Sequence, residues 1–171
     1  MGFFRRIFGD RDERAALRPL YDAIVASGRD PVWYEAGEVP DTLDGRFDMM
    51  AALTALVLLR LEALGDPARA PSVLLTETFI DDMDASLRQI GIGDYVVGKH
   101  IGRMMSALGG RLAAFREARE AGSLAPAVQR NIFHEAEGKA AAVAVVAARL
   151  EAFAAALDAA SLESLLAGAL P

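Results

Sequence analysis

The chain has no cysteine and only two histidines among its 171 residues. Without cysteine it can form no disulfide and can use no thiolate as a nucleophile or metal ligand. His100 and His134 have no glutamate three positions earlier, so the Glu-x-x-His pairs typical of metal sites in helix bundles are absent too. We therefore predict that the protein uses neither a metal ion nor any other cofactor.

Positive charge is also scarce. The 18 lysines and arginines are outnumbered by 24 acidic residues, which gives a net charge of −6. General nucleic-acid binding requires a basic surface, so DNA is not an expected partner. Residues 93–99 have the glycine and lysine spacing of a phosphate-binding loop, but Asp94 lies inside this segment. His100 also stands where a serine or threonine should follow the lysine. We predict no nucleotide binding.

Long hydrophobic runs are missing as well. The longest run without a charged residue, 49–59, has eleven residues, whereas a membrane-spanning helix needs about 20. The opening nine residues are too few for a signal peptide, so we expect the protein in the cytoplasm. Residues 1–9 form a basic and aromatic segment that suits contact with anionic lipid at the inner face of the cytoplasmic membrane. Packing of this segment against the rest of the protein is an equally open interpretation.

The composition favours helix. Hydrophobic residues make up 53% of the chain, alanine is abundant, and period-two alternation typical of strands is absent. We predict an all-α fold, with one compact domain of six to seven helices over residues 10–171. Apolar stripes and glycine or proline breaks predict helices over about 12–27, 44–64, 71–90, 95–121, 123–134, 139–157 and 161–167, with a short helix after Asp30. The helix 44–64 is apolar on more than one face, so it should lie at the centre. Glycines 98, 102, 109 and 110 should let a neighbouring helix approach closely.

The segment 79–99 combines an apolar stripe with concentrated charge. Phe79 and Met83 begin a stripe at helical spacing, while Asp81, Asp82 and Asp84 lie beside it. A left-handed cap at a glycine would end this helix, and an aspartate three residues later would cap the next one. The segment therefore predicts two helices joined by a glycine corner, with acidic charge gathered at that corner.

The three aspartates allow several interpretations. Carboxylates on one helix diverge, so they do not form the ring of oxygen ligands that calcium needs. A carboxylate pair such as Asp48 with Asp82 could serve acid–base chemistry only if it lined a substrate pocket and had a perturbed pKa. We predict no enzymatic activity, and a carboxylate-dependent enzyme stays as an alternative. A network of surface ion pairs and a docking surface for another polypeptide remain equally open.

Two motifs carry a family resemblance. Residues 79–94 read Phe-Ile-Asp-Asp-Met-Asp-x-Ser-Leu-Arg-x-x-Gly-x-Gly-Asp and are followed by Val-Gly-Lys at 97–99, while residues 41–50 read Asp-Thr-Leu-Asp-Gly-Arg-Phe-Asp-Met-Met. Both motifs closely resemble the ubiquinol–cytochrome c chaperone family, and looser similarity covers about 17–133. His100 departs from the lysine or arginine expected there. The resemblance implies an assembly factor for the respiratory ubiquinol–cytochrome c reductase, one that attends newly made cytochrome b.

Two sets of site residues follow from the motifs. The predicted partner-binding residues are Asp81, Asp82, Asp84, Asp94, Tyr95 and Lys99. The predicted structural corner consists of Arg46, Phe47, Asp48, Arg88, Gly91, Gly93 and Gly98. At this corner, Arg46 and Asp48 could form ion pairs with residues Asp82, Arg88 or Lys99.

The resemblance also implies partners. The expected partner is cytochrome b or another reductase subunit, with a small helical co-chaperone or the ribosome as further candidates. A helical scaffold or regulator unrelated to respiration is the alternative from another functional class.

Overall fold

The computed structural model describes the backbone of residues 3–89 and 97–171 and the side chains of residues 14–86 and 102–171. These parts of the chain contain eight α-helices, one 3₁₀ turn at Asp66–Ala68 and no strand, so the predicted all-α fold is confirmed. The helices are α1 Phe3–Gly28, α2 Pro31–Glu35, α3 Leu43–Ala63, α4 Arg69–Gln89, α5 Val97–Glu120, α6 Ala125–Asn131, α7 Ala140–Ala159 and α8 Leu162–Leu166. Six of these helices are seven residues or longer, and α2 and α8 have five residues each.

Helix α3 lies at the centre of the molecule, as its sequence predicts. Thr42 caps its first turn by accepting a hydrogen bond from the Gly45 amide at 3.2 Å. Fourteen of its residues are buried, and it packs against α1, α4, α5 and α7. Because an apolar surface on every side must be covered, this helix organises the core and fixes the positions of its neighbours.

The first helix is longer than predicted. Periodicity placed it at 12–27, but α1 begins at Phe3 and continues through Pro19. Proline removes one helical hydrogen bond without necessarily ending the helix. The end of α8 packs on the same place: Gly168 has a φ of +79°, and a Cβ there would come within 2.7 Å of the Pro19 carbonyl oxygen. A residue without a side chain is therefore required at this closure.

The glycines of α5 do not have the role that the sequence suggested. A Cβ built at Gly102, Gly109 or Gly110 would meet nothing within 4 Å, so no helix in the described part of the chain approaches them closely. The prediction of tight packing at these three positions is wrong, because they lie on the exposed side of α5. Gly98 belongs to the part of α5 whose side-chain surroundings the structure does not describe.

Helix α7 has the length and composition of a membrane-spanning helix. An 18-residue stretch of this helix has a mean hydropathy of 1.8, and 44% of that stretch is buried inside the protein. Arg149 interrupts the helix, so it contains no uncharged run as long as 49–59. Val146, Leu150 and Phe153 are buried in the core, where α7 contacts α3 and α6. A core helix meets the same criteria, so α7 by itself does not indicate a membrane span.

Candidate binding cleft

A cleft of about 490 Å³ opens where α1 ends, α2 and α3 begin, and the second half of α4 passes. Its size lies within the usual range of ligand sites, roughly 300–1,000 Å³. The apolar lining residues are Val25, Pro31, Tyr34, Leu43, Phe47, Met50 and Met83. The charged and polar residues around them are Arg29, Glu35, Asp41, Arg46, Asp82 and Ser86. The cleft therefore has an apolar floor and a rim that carries both signs of charge.

One wall of the cleft is fixed by hydrogen bonds between α1 and α2. Asp30 caps α2 by accepting from the Val32 amide at 3.0 Å. The Tyr34 hydroxyl donates to the Gly28 carbonyl at 2.6 Å, and the Trp33 indole N–H donates to the Ser27 carbonyl at 2.7 Å. The Asp30 cap fixes the start of α2, and the bonds from Trp33 and Tyr34 hold α2 against the end of α1, so this wall is preformed.

The floor exposes apolar side chains to solvent. Leu43, at the first position of α3, is 52% exposed. Phe47, one turn further along the same helix, is half-buried and packs its ring against Phe79 with the ring centroids 5.9 Å apart. Solvent-exposed apolar surface beside a concave wall is suited to receive an apolar side chain of another molecule.

The acidic patch, which we define as Asp81, Asp82 and Asp84 of α4, touches the cleft at Asp82, while Asp81 and Asp84 lie outside its lining. Asp82 lines the cleft and accepts a hydrogen bond from the Tyr21 hydroxyl at 2.8 Å. Burial and this carboxylate raise the pKa of Tyr21, so its hydroxyl keeps its proton and remains a donor. Asp81 accepts from Arg14 at 3.1 Å, yet its side chain remains 65% exposed. Asp84 is half-buried.

Among the described side chains, Arg46 and Asp82 do not form the ion pair that the sequence suggested, and the pairs suggested with Arg88 or Lys99 involve side chains outside the described range. Arg46 donates to Asp41 at 2.6 Å, and this contact lowers the pKa of Asp41. Asp82 is bonded to Tyr21 rather than to Arg46. Asp48 contacts Arg111 and His134, which lie far from it along the chain, and neither was among the predicted site residues.

Asp48 is the buried member of a charge cluster that also contains Arg111 and His134. The Asp48 side chain is only 4% exposed; one carboxylate oxygen accepts from Nη2 of Arg111 and the other lies 2.7 Å from Nε2 of His134. Burial raises the pKa of Asp48, while the bonds to His134 and Arg111 act in the opposite direction. The cluster ties α3 to α5 and to the turn that follows α6.

Arg111 also connects this charge cluster to the cleft. Its guanidinium carbon lies 5.3 Å from the centre of the Phe47 ring, a cation–π geometry. The same guanidinium donates to the carbonyls of Ala107 at 3.3 Å and Asn131 at 3.4 Å, while its Nε has no hydrogen-bond partner among the described residues. Phe47, which lines the cleft, thus rests on a buried cation.

Several predicted site residues fall outside what the structure describes. Gly91, Gly93, Asp94 and Tyr95 lie in the segment between α4 and α5, outside the described backbone. Arg88, Gly98 and Lys99 lie on helices, but their side chains are outside the described range. The described residues bring Arg46, Phe47 and Asp82 together around the cleft.

The positions of the acidic and histidine side chains limit the chemistry that they can perform. Among the described side chains, no three histidine, aspartate or glutamate residues are close enough to hold a metal ion. Asp82 lines the cleft, but Asp48 is enclosed by Arg111 and His134 and is not part of its lining. The carboxylate pair considered for acid–base chemistry is therefore not assembled in this cleft. The arrangement offers an apolar surface with charges of both signs around it.

These features define an all-α protein with a preformed, apolar-floored binding cleft. The chain belongs to the ubiquinol–cytochrome c chaperone family, whose model matches residues 35–170. This confirms the resemblance and extends it beyond residue 133 to include α7 and α8. The fold is similar to the crystal structure of the Cbp3 homolog from Brucella abortus, with 31% sequence identity and a TM-score of 0.81. The match covers 98% of this chain and 92% of that one. A search of curated proteins found no significant match.

Proposed function

We propose that the protein is an assembly factor for the ubiquinol–cytochrome c reductase. In this proposal it binds newly made cytochrome b, or the cytoplasmic loops of that subunit, through the cleft and the acidic patch. Membership of the chaperone family and the similarity to the Brucella protein support the assembly role. The observation that carries the binding site is the exposed Leu43 in the cleft lining, with the carboxylate of Asp82 in the same lining and Asp81 on the neighbouring exposed surface of α4.

The chemistry of the cleft suits a segment at the cytoplasmic end of a membrane helix. Such segments combine apolar side chains with lysine and arginine, because loops on the inner side of a membrane are enriched in positive charge. Apolar contact with Leu43 and Phe47 would cover the hydrophobic part, and the acidic patch would pair with the bases. Exposed ion pairs are worth only about 0–1 kcal/mol, so a basic residue of the client can displace Arg14 from Asp81 at little cost.

Binding of this kind requires no bond to be made or broken, so the proposed role is non-enzymatic. The protein would hold a newly made subunit until its cofactor and partner subunits arrive, working at the inner face of the cytoplasmic membrane. Contact of residues 1–9 with lipid, a small helical co-chaperone and the ribosome remain predictions. The division into this N-terminal segment and a helical domain over 10–171 is part of the same proposal.

A matched pair of variants tests the cleft. Leu43→Lys places a charge at the cleft, and Val73→Lys places the same charge at a side chain of α4 that is 54% exposed but lies outside the lining. Each variant replaces the wild-type protein in cells, and crosslinked cytochrome b and assembled reductase are measured. We expect Leu43→Lys to reduce both about tenfold, the effect of roughly 1.4 kcal/mol of lost binding, and Val73→Lys to leave them unchanged.

The same cells test the acidic patch. Asp81→Lys with Asp84→Lys reverses two of its charges, and Glu117→Lys with Glu120→Lys makes the same change at equal spacing on an exposed part of α5. We expect only the first double variant to lose capture of cytochrome b. Normal reductase assembly with a normally folded Asp81/Asp84 variant would count against the acidic patch as the docking surface. A strain without the gene that assembles normal reductase would favour a scaffold role outside respiration.

A further inference from the structure

We propose that Arg111, held in place by Asp48 and His134, is a positioning residue that fixes Phe47 in the floor of the cleft. The charge cluster would thus set the shape of the binding site although none of its three members lines it. This inference rests on the proposed function of the cleft, and it adds that the turn after α6 controls binding through Phe47.

The first step concerns Phe47 itself. Its ring has two described neighbours that fix its orientation: the Phe79 ring at 5.9 Å between centroids and the Arg111 guanidinium at 5.3 Å from its own centroid. Phe79 is fully buried and is held by the core. Arg111 lies over the ring face, so a change in the position of the guanidinium changes the ring orientation that an incoming side chain meets.

The second step concerns Arg111. Arginine cannot shed its proton in a protein, so its charge must be matched wherever it is buried. Asp48 supplies the opposite charge, and the carbonyls of Ala107 and Asn131 accept further hydrogen bonds. A buried pair of this kind contributes little to stability beyond what apolar residues of equal volume would give. Its value here is the fixed direction that a planar guanidinium imposes on the ring beside it.

The third step concerns the turn that carries His134. His134 and Glu135 have φ angles of +49° and +61°, a left-handed conformation that is unfavourable for residues with a side chain. The bond from His134 to Asp48 holds this turn against α3, although the His134 side chain is 63% exposed. Gln129 also donates to the Ala136 carbonyl at 3.1 Å across the same turn. His134, an exposed residue, therefore contacts directly the buried carboxylate that orients Arg111.

The cleft offers reporters for this positioning. Met50 and Met83 line the cleft together with Phe47, whereas Met105 of α5 is 48% exposed and lies outside the lining. Methyl signals of methionines close to an aromatic ring move when the ring reorients. In the full-length protein labelled with ¹³C-methyl methionine, we expect His134→Ala to shift the Met50 and Met83 signals while the Met105 signal stays in place.

Three further variants separate positioning from a general loss of structure. His134→Gln keeps an N–H donor for Asp48 and should restore most of the wild-type methyl shifts. Glu137→Ala changes an exposed residue of the same turn and should cause no shift. In a Phe47→Leu background, His134→Ala should lose its effect on the cleft signals, because the ring that transmits it is gone. All spectra are recorded well below the melting temperature of each variant.

The binding readout is capture of cytochrome b in cells. We expect His134→Ala to weaken capture about fivefold, and to have no additional effect in the Phe47→Leu background. Unmoved Met50 and Met83 signals would overturn the proposal, even if the wild type captures cytochrome b normally and the proposed function stands. Shifted Met50 and Met83 signals together with unchanged capture of cytochrome b would overturn the role of the charge cluster in binding. If the wild type captures no cytochrome b, the proposed function fails and the methyl shifts alone decide whether the charge cluster positions Phe47.

Discussion

At the scale of single residues, the carboxylate of Asp48 is the group with the largest expected effect on stability. It is enclosed in the core, and the charge it matches belongs to Arg111, which cannot become neutral. Removing one member of such a pair leaves the other charge buried without compensation, whereas removing both does not. The fold should therefore be destabilised mainly when one of the two charges is removed alone, and much less when both are replaced together.

We expect Asp48→Leu to lower the free energy of unfolding by about 3–5 kcal/mol, because the Arg111 guanidinium would lose its carboxylate. The double variant Asp48→Leu/Arg111→Met should recover most of this loss. Both are measured by urea denaturation. As a control, Asp158→Ala removes an exposed partner of Arg119 and should cost no more than about 1 kcal/mol. A double variant as unstable as Asp48→Leu alone would contradict the explanation.

The partners of Asp48 could not be predicted from the sequence. Arg111 is 63 residues away along the chain and His134 is 86 residues away. Periodicity reports which face of a helix a residue occupies, but it does not report which distant element meets that face. The available signal was an aspartate in an otherwise apolar helix, which indicates that a buried partner is needed without identifying it.

At the scale of helices, the first turn of α3 and the exposed side of α5 place opposite demands on glycine. Gly45, in the first turn of α3, faces the Pro40 carbonyl, and a Cβ there would collide with its oxygen. On α5, glycine is conformationally costly and the space around it is open. The same residue type is thus required in one helix and dispensable in the other.

We expect Gly109→Ala and Gly110→Ala each to raise the free energy of unfolding by about 1 kcal/mol, because alanine is the better helix former and no neighbour is displaced. Gly45→Ala should lower it. Chemical denaturation of the three variants measures the difference. If the α5 substitutions destabilise the protein, an interaction at this surface has been overlooked.

The helices themselves were largely predictable. The range 44–64 compares with Leu43–Ala63 and the range 71–90 with Arg69–Gln89, because apolar stripes end at glycine and proline breaks. The start of α1 was missed although Phe3, Phe4, Ile7 and Phe8 have helical spacing, because residues 1–9 were interpreted as a separate basic and aromatic segment. The close packing expected for the α5 glycines was wrong because a stripe of small residues does not reveal whether a neighbour covers it.

At the scale of the whole molecule, the core is organised around α3, and stability should be graded outward from it. The central residues of α3 are fully buried between four neighbouring helices. Helices α2 and α8 have five residues each and little core of their own. Their amides can open locally, whereas those of α3 can open only when the whole core separates.

We expect native-state hydrogen exchange to show this gradient. For amides of residues 49–59, the free energy of opening should equal that of global unfolding. For amides of α2 and α8, the free energy of opening should be several kcal/mol lower. Mass spectrometry of the exchanged, digested protein gives both values in one experiment, and urea denaturation gives the global value. Exchange in α3 far below the global value would show that the core is divided into independent parts.

The cleft could be predicted only in part at this scale. Asp82 of the acidic patch and the motif at 41–50 stood out in the sequence, and both contribute to the cleft. The concave shape arises from four segments that meet in space, and the wall formed by α2 had no motif to mark it. Tertiary packing decides such a feature, so the sequence indicated the neighbourhood of the site but not its form.

Helix α3 supplies both the centre of the core and, through Phe47 and Met50, the bottom of the cleft. Substitutions of Phe47 or Met50 would therefore alter the cleft and the core together. As related chains diverge, the cleft can change with less effect on the core at positions such as Glu35, Met83 and Ser86. Among members of this family, residues of the core should consequently vary little, and residues at the border of the cleft should vary more.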